Sequence, residues 1–334
     1  MKIIFIVPYY GEFPSYFDIF LKSCANNPAY DWLIISDGKQ NYSFPDNVRY
    51  RNMPWRKLQK LFRSKFDFEI SLETPYKLCD FKPAYGYIFQ EYTKDYDYWG
   101  YCDIDLIFGD LKSFLPEGKI RKFDKVGHLG HMTIYRNTNE INHLFMSAID
   151  GCVQYREVFS SNRIFVFDEW GERSINHIFV DKRKKVWMFN EYFDVYPYDD
   201  NFKKVVRKIP DKKESYGKDI IEKEISFGYI ENGKSFQLSY KKGVRHRNEA
   251  AYIHLQKRSM EVLANDLATK YLLIPDKIIS TEDGYVPKKY LWKANFHRLF
   301  NIRKFEWEAK KIIYWFVEKT SPIRHPFRKH NEYL

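Results

Sequence analysis

"YWGYCDIDLIFGDL", residues 98–111, is an apolar run broken by two carboxylates, Asp103 and Asp105, one residue apart. A buried strand does not normally carry two acids, because each buried charge must be paired or neutralised. An i, i+2 spacing puts both acids on one side of an extended strand, or lets a turn aim both at one point. Two carboxylates held so close repel, and a divalent cation between them, or a proton on one, removes the repulsion. The competing explanation is a plain strand-end turn with two solvated acids. Against it, the flanks YDYWGYC and LIFGDL are apolar on both sides, which does not describe a loop in water.

Upstream of this stretch, strand and helix patterns alternate. KIIFIVPYY is a continuous apolar run stopped by Pro8 and Gly11, the pattern of a strand buried on both faces of a parallel sheet. Phe17, Phe20, Leu21 and Cys24 fall on one helical stripe. DWLIISDG reads as a second buried strand ending at Asp37-Gly38, and NVRYRNM as a short third. A helix with Leu58, Leu61, Phe62 and Phe66 on one side follows. The next is expected to open with Asp80 as its N-cap and Pro83 in its first turn, burying Tyr85, Ile88, Phe89 and Tyr92. This alternation predicts an α/β domain whose central sheet is mainly parallel with helices on both faces. Ligands of such sheets sit beyond the carboxyl ends of the strands. Tyr9-Tyr10-Gly11, Asp37-Gly38, Asp103 and Asp105 all stand where apolar strands stop, so they are expected to converge on one crevice.

Downstream, KVGHLGHMTIYRN, RIFVFDEWG and KVWMFNEYF each contain a strand-like run. ISFGYIENGKSFQLSYKKG alternates around Asn232-Gly233, a hairpin signal, and AAYIHLQKR holds the last strand. After Pro287 the character changes. Residues 288–334 hold twelve Lys/Arg against four Glu, together with eleven aromatics, so most of the net charge of +11 sits there. Phe305, Ala309, Ile312, Ile313 and Phe316 mark a helical stripe edged by Trp and Lys. At 44% hydrophobic and 19% aromatic residues the chain has ample material for a packed core, which argues against disorder. Four scattered cysteines without CxxC spacing imply no disulfide framework and no zinc knuckle. The start is too short in apolar residues for a signal segment, and no run approaches the roughly 18 apolar residues of a membrane span. A cytoplasmic protein, soluble or lying on a membrane, is the expectation.

Three functions compete for the acid pair. A haloacid-dehalogenase-type phosphatase would use the first Asp as nucleophile, but Ile107 stands where that motif wants Thr or Val, and two strands precede the pair. A binding module for membrane or nucleic acid would leave the pair structural, and no nucleic-acid motif accompanies the basic tail. The third is the Asp-x-Asp of nucleotide-sugar transferases, whose acids hold Mn²⁺ or Mg²⁺ against the donor diphosphate.

The segments YKLCDFKPAYGYIF, YDYWGYCDIDLIFGDL and YIHLQKR resemble bacterial capsule and lipopolysaccharide glycosyltransferases of the GT-A type over roughly residues 1–260. The chain is more distantly similar to the glycogenin-like galactosyltransferases. The resemblance implies a Rossmann-like GT-A domain, assigned to 1–285; the change of composition after Pro287 marks a basic amphipathic extension over 286–334. It implies Asp103, Asp105 and His254 as ligands of Mn²⁺ or Mg²⁺. A UDP-sugar donor would then be held by Pro8, Tyr9, Asp37, Lys82, Asp103 and Lys257, with Arg258 adding positive charge. The downstream Gly and Lys-Pro-Trp of the glycogenin-like enzymes are missing here, since the text reads His-Leu-Gln-Lys-Arg. Asp168 and Glu169, at the end of RIFVF, are the expected catalytic acids, with Trp170 as a platform for a sugar ring. His128, His131 and Arg136 follow the metal strand, and His131 is expected to bind sugar or acceptor. The expected reaction transfers a hexose, galactose or glucose, to a lipid-linked or growing surface polysaccharide. The aromatic, basic tail would rest on the inner face of the cell membrane or pack on the catalytic domain.

Overall fold

The apolar run at the start of the chain forms β1 (Ile3–Pro8). Its alternate residues divide between two cores, Ile4 and Ile6 on one side and Ile3, Phe5 and Val7 on the other. The computed structural model describes residues 1–38, 41–171, 173–195, 202–203, 205–206, 220–221, 225–241, 244–256, 258–264, 269–299 and 305. α1 (Phe17–Ala25) buries Phe17, Phe20, Leu21 and Cys24 in the second core, as their spacing predicts. β2 (Tyr30–Ser36) and β3 (Val48–Asn52) pair in parallel alongside β1. α2 (Trp55–Arg63) covers the first core with Leu58 and Phe62. β4 (Tyr98–Cys102) completes the parallel set on the other side of β1 and is buried throughout.

Between α2 and β4 the single expected helix is broken into short turns, Pro75–Lys77, Leu78–Phe81, Lys82–Ala84, Tyr85–Ile88 and Gln90–Thr93. Pro83 cannot donate a backbone hydrogen bond, so a continuous ladder is not available there. Asp80 is not an N-cap. Its buried carboxylate pairs with Lys77 at 2.8 Å and accepts the backbone N–H groups of Phe165 and Phe167.

The sheet grows outward by a hairpin. β6 (Lys125–Leu129) and β7 (Met132–Arg136) are antiparallel, with β7 pairing antiparallel to β4 and the short β8 (Val186–Trp187) parallel to β6. The resulting order is β3-β2-β1-β4-β7-β6-β8, a mixed and mainly parallel seven-stranded sheet with a core on each face. KVGHLGHMTIYRN thus supplies two strands instead of one, turning at Gly130-His131. RIFVF forms no strand, because Asp80 takes the N–H groups that a ladder would use.

A smaller sheet runs past the end of β4. Residues 103–105 turn, and β5 (Leu106–Phe108) leaves the main sheet to pair antiparallel with β16 (Tyr252–His254). On its other side β16 pairs in parallel with β9 (Tyr192–Val195), which carries β10 (Phe202–Lys203) at the edge. KVWMFNEYF is therefore split, its ends lying in different sheets. β11 (Val205–Val206) and β12 (Ile220–Ile221) form a separate ribbon.

Residues 226–280 build a sheet that the sequence pattern shows only as a hairpin. β13 (Ser226–Glu231) and β14 (Lys234–Lys241) turn at Asn232 and Gly233, whose positive φ values of 50° and 77° match the expected tight turn. β15 (Val244–Ala250), β17 (Glu261–Leu263), β18 (Lys270–Ile274) and β19 (Lys277–Ser280) complete the order β15-β14-β13-β18-β19-β17. One face of this sheet packs Ile230 and Leu273 against Ile19, Ile107 and Ile253. The other is covered by Val286 and by Ala294 of the C-terminal helix (Lys288–Leu299). Of the expected stripe further on, Phe305 is helical and exposed; Ala309, Ile312, Ile313 and Phe316 lie outside the described residues.

Candidate functional site

Alternation along β4 sends Trp99 and Tyr101 to one core and Tyr98 and Cys102 to the other. Asp103 continues the first direction and meets Lys82, which follows Phe81 in the broken helix. Lys82 Nζ donates to Asp103 Oδ1 at 2.7 Å and to the Gly130 carbonyl at 2.7 Å, and it lies 3.6 Å from Asp168 Oδ2. Burial alone would lower the Lys82 pKa, but Asp103 and Asp168 outweigh it and hold the ammonium well above its ordinary value.

The turn carries Asp105 away from Asp103's partners and toward His254. The register makes this meeting obligatory. His254 stands opposite Leu106 in the antiparallel pair and opposite Asp194 in the parallel one. His254 Nε2 lies 3.5 Å from Asp105 Oδ2, and Nδ1 lies 2.6 Å from Asp194 Oδ1. Burial lowers the imidazole pKa, while Asp105 and Asp194 raise it further than that, to about 10. The His131 ring packs 4.5 Å from that of His254.

Asp103, Asp105 and His254 each bring one ligand atom within 4.8 Å of the others, and His131, Asp194 and His254 do the same. Two carboxylates and an imidazole, the imidazole backed by a second carboxylate, form a donor set that fits a divalent cation. The carboxylates suit Mn²⁺ or Mg²⁺, and the nitrogen favours a transition ion of that pair.

Above this pair opens a cavity of ≈ 620 Å³, lined by Pro8 and Tyr9 from the end of β1, by Lys82, Asp103 and Asp105, and by Arg258. Tyr10, Tyr16, Tyr76 and Tyr85 supply much of its apolar wall. Flat rings with a few converging charges are the composition of a pocket for a nucleotide-sized ligand. The chain ends of β1 and β4 thus meet where the parallel pattern places a ligand.

Other expected site residues stand elsewhere. Asp37 does not line the cavity; it is exposed beside Tyr10 and Tyr50, whose phenols its charge pushes up after burial has done so. Asp168 is buried behind Lys82, and Glu169 Oε1 accepts the Gly130 N–H at 2.8 Å, so neither acid forms the cavity wall. Burial raises the Asp168 carboxyl to about 8, with Lys82 opposing and Glu169 adding to the shift. Trp170, expected as a sugar platform, is buried away from the cavity wall. It is 3% exposed, packed edge-on to His177 and donating to His128 Nδ1 at 3.4 Å. His131 is likewise buried, packed against His254. Arg136 lies at the far end of its strand, opposite Tyr98, where it bonds Asp124 and the Arg121 and Phe123 carbonyls. Lys257 lies outside the described residues.

Sequence reasoning missed Asp194. Its signal is the same oddity as the opening stretch, a carboxylate inside an apolar strand, YFDV. The cavity tyrosines Tyr16 and Tyr76 carried no signal beyond composition.

A profile described as a family of unknown function (DUF6625) matches residues 5–282. The chain belongs to this family. No curated protein matches it in sequence. Among solved structures it is similar to galactosyltransferase LgtC in complex with donor and acceptor sugar analogs. That similarity has 14% identity and a TM-score of 0.32 over 58% of this chain and 76% of that one. An active-site mutant of LgtC gives 12% identity and a TM-score of 0.32 over 58% and 75%.

Proposed function

We propose that the protein is a metal-dependent glycosyltransferase that moves a hexose, galactose or glucose, from a UDP-sugar to a sugar acceptor. The observation that carries this reading is the ≈ 620 Å³ cavity at the strand ends, with tyrosines on its wall and the Asp103–Asp105 pair on its lining, His254 in ligand reach behind it. Asp103, Asp105 and His254 would hold Mn²⁺ or Mg²⁺, which when bound neutralises charge developing on the leaving diphosphate. Lys82 brings a second positive charge to the same wall, and Arg258 a third. Asp168 acts through Lys82, holding the ammonium at the cavity edge. Pro8 and Tyr9 shape the floor where the nucleotide would lie. A pair of acids serving only as a strand-end turn gives no reason for the converging lysine, histidine and cavity.

The acceptor is proposed to be a lipid-linked or growing surface polysaccharide, met at the inner face of the cell membrane. The C-terminal helix supports this. Its covered side packs on the six-stranded sheet, while Trp292, 69% exposed, stands among exposed Lys288, Lys289 and Lys293. An aromatic ringed by lysines suits a surface of anionic lipid. Among the described residues no helix is long and apolar enough to cross a membrane.

Calorimetric titration of UDP with and without Mn²⁺, on the native chain and on Asp105→Ala, tests the reading. Binding that needs Mn²⁺ and is lost in Asp105→Ala supports it. Absent binding, or binding indifferent to metal and substitution, overturns it.

A further inference from the structure

We infer that Asp194 is a positioning residue of the cation site, orienting His254 so that its Nε2 faces Asp103 and Asp105. This rests on reading those acids and His254 as the cation ligands. An imidazole on a strand can turn about its ring bond, and either nitrogen can then face a ligand. Here three contacts remove that freedom. Asp194 Oδ1 takes the Nδ1 side at 2.6 Å. Asp105 Oδ2 stands 3.5 Å from the Nε2 side. The His131 ring lies 4.5 Å away, and His131 is itself held by the Tyr252 hydroxyl at 3.3 Å.

The backbone makes the arrangement rigid. Asp194 and His254 are direct partners in the parallel pairing of β9 with β16, and both side chains are buried. The Leu255 N–H donates to the Asp105 carbonyl at 2.9 Å, tying the turn to the same strand. A buried carboxylate is costly unless something in the fold uses it, and Asp194 contributes nothing to the cavity wall. What it does contribute is a fixed acceptor for Nδ1–H. Nε2 is then the nitrogen turned toward an ion, which would take its proton's place, and the nearby negative charge makes it a stronger donor. Loss of such a backing carboxylate costs about 10–100-fold in metal affinity.

The test is Mn²⁺ binding by calorimetry to the full chain, compared across native, Asp194→Ala, Asp194→Asn and Asp105→Ala proteins. Asp194→Ala is expected to weaken Mn²⁺ binding by about 10–100-fold. Asp194→Asn, whose amide oxygen can still accept from Nδ1, is expected to lose less, and it carries the test should the alanine variant fail to fold. A purely structural role would lower the melting temperature of both variants without this graded loss. Should both bind Mn²⁺ as tightly as native while Asp105→Ala loses it, the role of Asp194 is overturned and the cation site stands. A native chain that binds no Mn²⁺ overturns the cation site and this role with it.

Discussion

Replacing Lys82 with methionine keeps most of its volume and removes the one charge that Asp103 and Asp168 share. At the observed 2.7 Å to Asp103, and an effective dielectric of about 20, the gross attraction is about 6 kcal/mol; Asp168, 3.6 Å away with its pKa raised to about 8, is largely protonated at neutral pH and adds little charge of its own. Desolvation of the buried ammonium offsets most of this, so the pair is a weak source of net stability. Leaving its partners unpaired is a different matter, costing about 3–5 kcal/mol for a buried ion pair. Asp103 is 29% exposed, so water screens part of the loss and the lower end, about 3 kcal/mol, applies. The cost should therefore belong to the stranded acids, not to the missing lysine. Urea unfolding followed by tryptophan fluorescence, with constant slope, measures it. Asp103→Asn added to Lys82→Met should recover about 1–3 kcal/mol, because the carboxylate left behind is neutralised. Additivity of the two substitutions within about 0.5 kcal/mol refutes the coupling. So does a Lys82→Met chain as stable as native.

Three further perturbations reach the same region or the membrane face. In Gly130→Ala the new Cβ would overlap Asp168 Oδ2 and come within 2.9 Å of Glu169 Oε1, so displaced acids should cost about 1–3 kcal/mol in unfolding and weaken UDP binding; an unaffected protein speaks against the close approach. Without added divalent ion, Asp168 and His254 have folded pKa values of about 8 and about 10 against ordinary values of 3.8 and 6.5. Both are raised, so their stabilisation is complete below the ordinary values and is lost as pH rises through the folded ones. Stability should fall from pH 6.5 to 8 and on toward 10, with Asp168→Asn flattening the lower part; a rise over that window contradicts the assignment. Trp292→Glu combined with Lys289→Glu should release the chain from anionic vesicles in a flotation assay, and equal retention removes the membrane role.

The first hundred residues could be read because their determinants are local. Ile3 to Val7 are buried on both sides of a strand and look so, and Phe17 to Cys24 sit on one helical stripe. Asn232-Gly233 needs positive φ and has the residues that tolerate it. The acid pair was visible as an oddity for the same reason. Where reading failed, a partner distant in sequence decided the outcome. RIFVF has every local mark of a strand, yet Asp80, some 85 residues earlier, claims its N–H groups. The burial of Trp170 and His131 was not legible either, because nothing local shows that they would pack against His128 and His254. Asp194 meets His254 through a register set across 60 residues.

That register also explains how a buried strand tolerates Asp-Ile-Asp at all. Were β4 to continue straight, both carboxylates would point to one side and repel, as the spacing warns. Instead the chain turns at Ile104, itself buried in the second core, and changes sheets between the two acids. Asp103 stays with the seven-stranded sheet and finds Lys82; Asp105 crosses to the four-stranded sheet and finds His254. Each acid thus has its own cation, and the two pairs face each other across the gap where ligand atoms lie within 4.8 Å. Pairing both acids with protein cations keeps the site folded without a metal, and because His254 is a proton acceptor, an ion can take the proton's place. A site built this way trades a proton for a cation, so Mn²⁺ should release protons on binding. Calorimetry in buffers of different ionisation enthalpy reads that release directly, and proton-free binding at neutral pH would show that the ion does not engage His254.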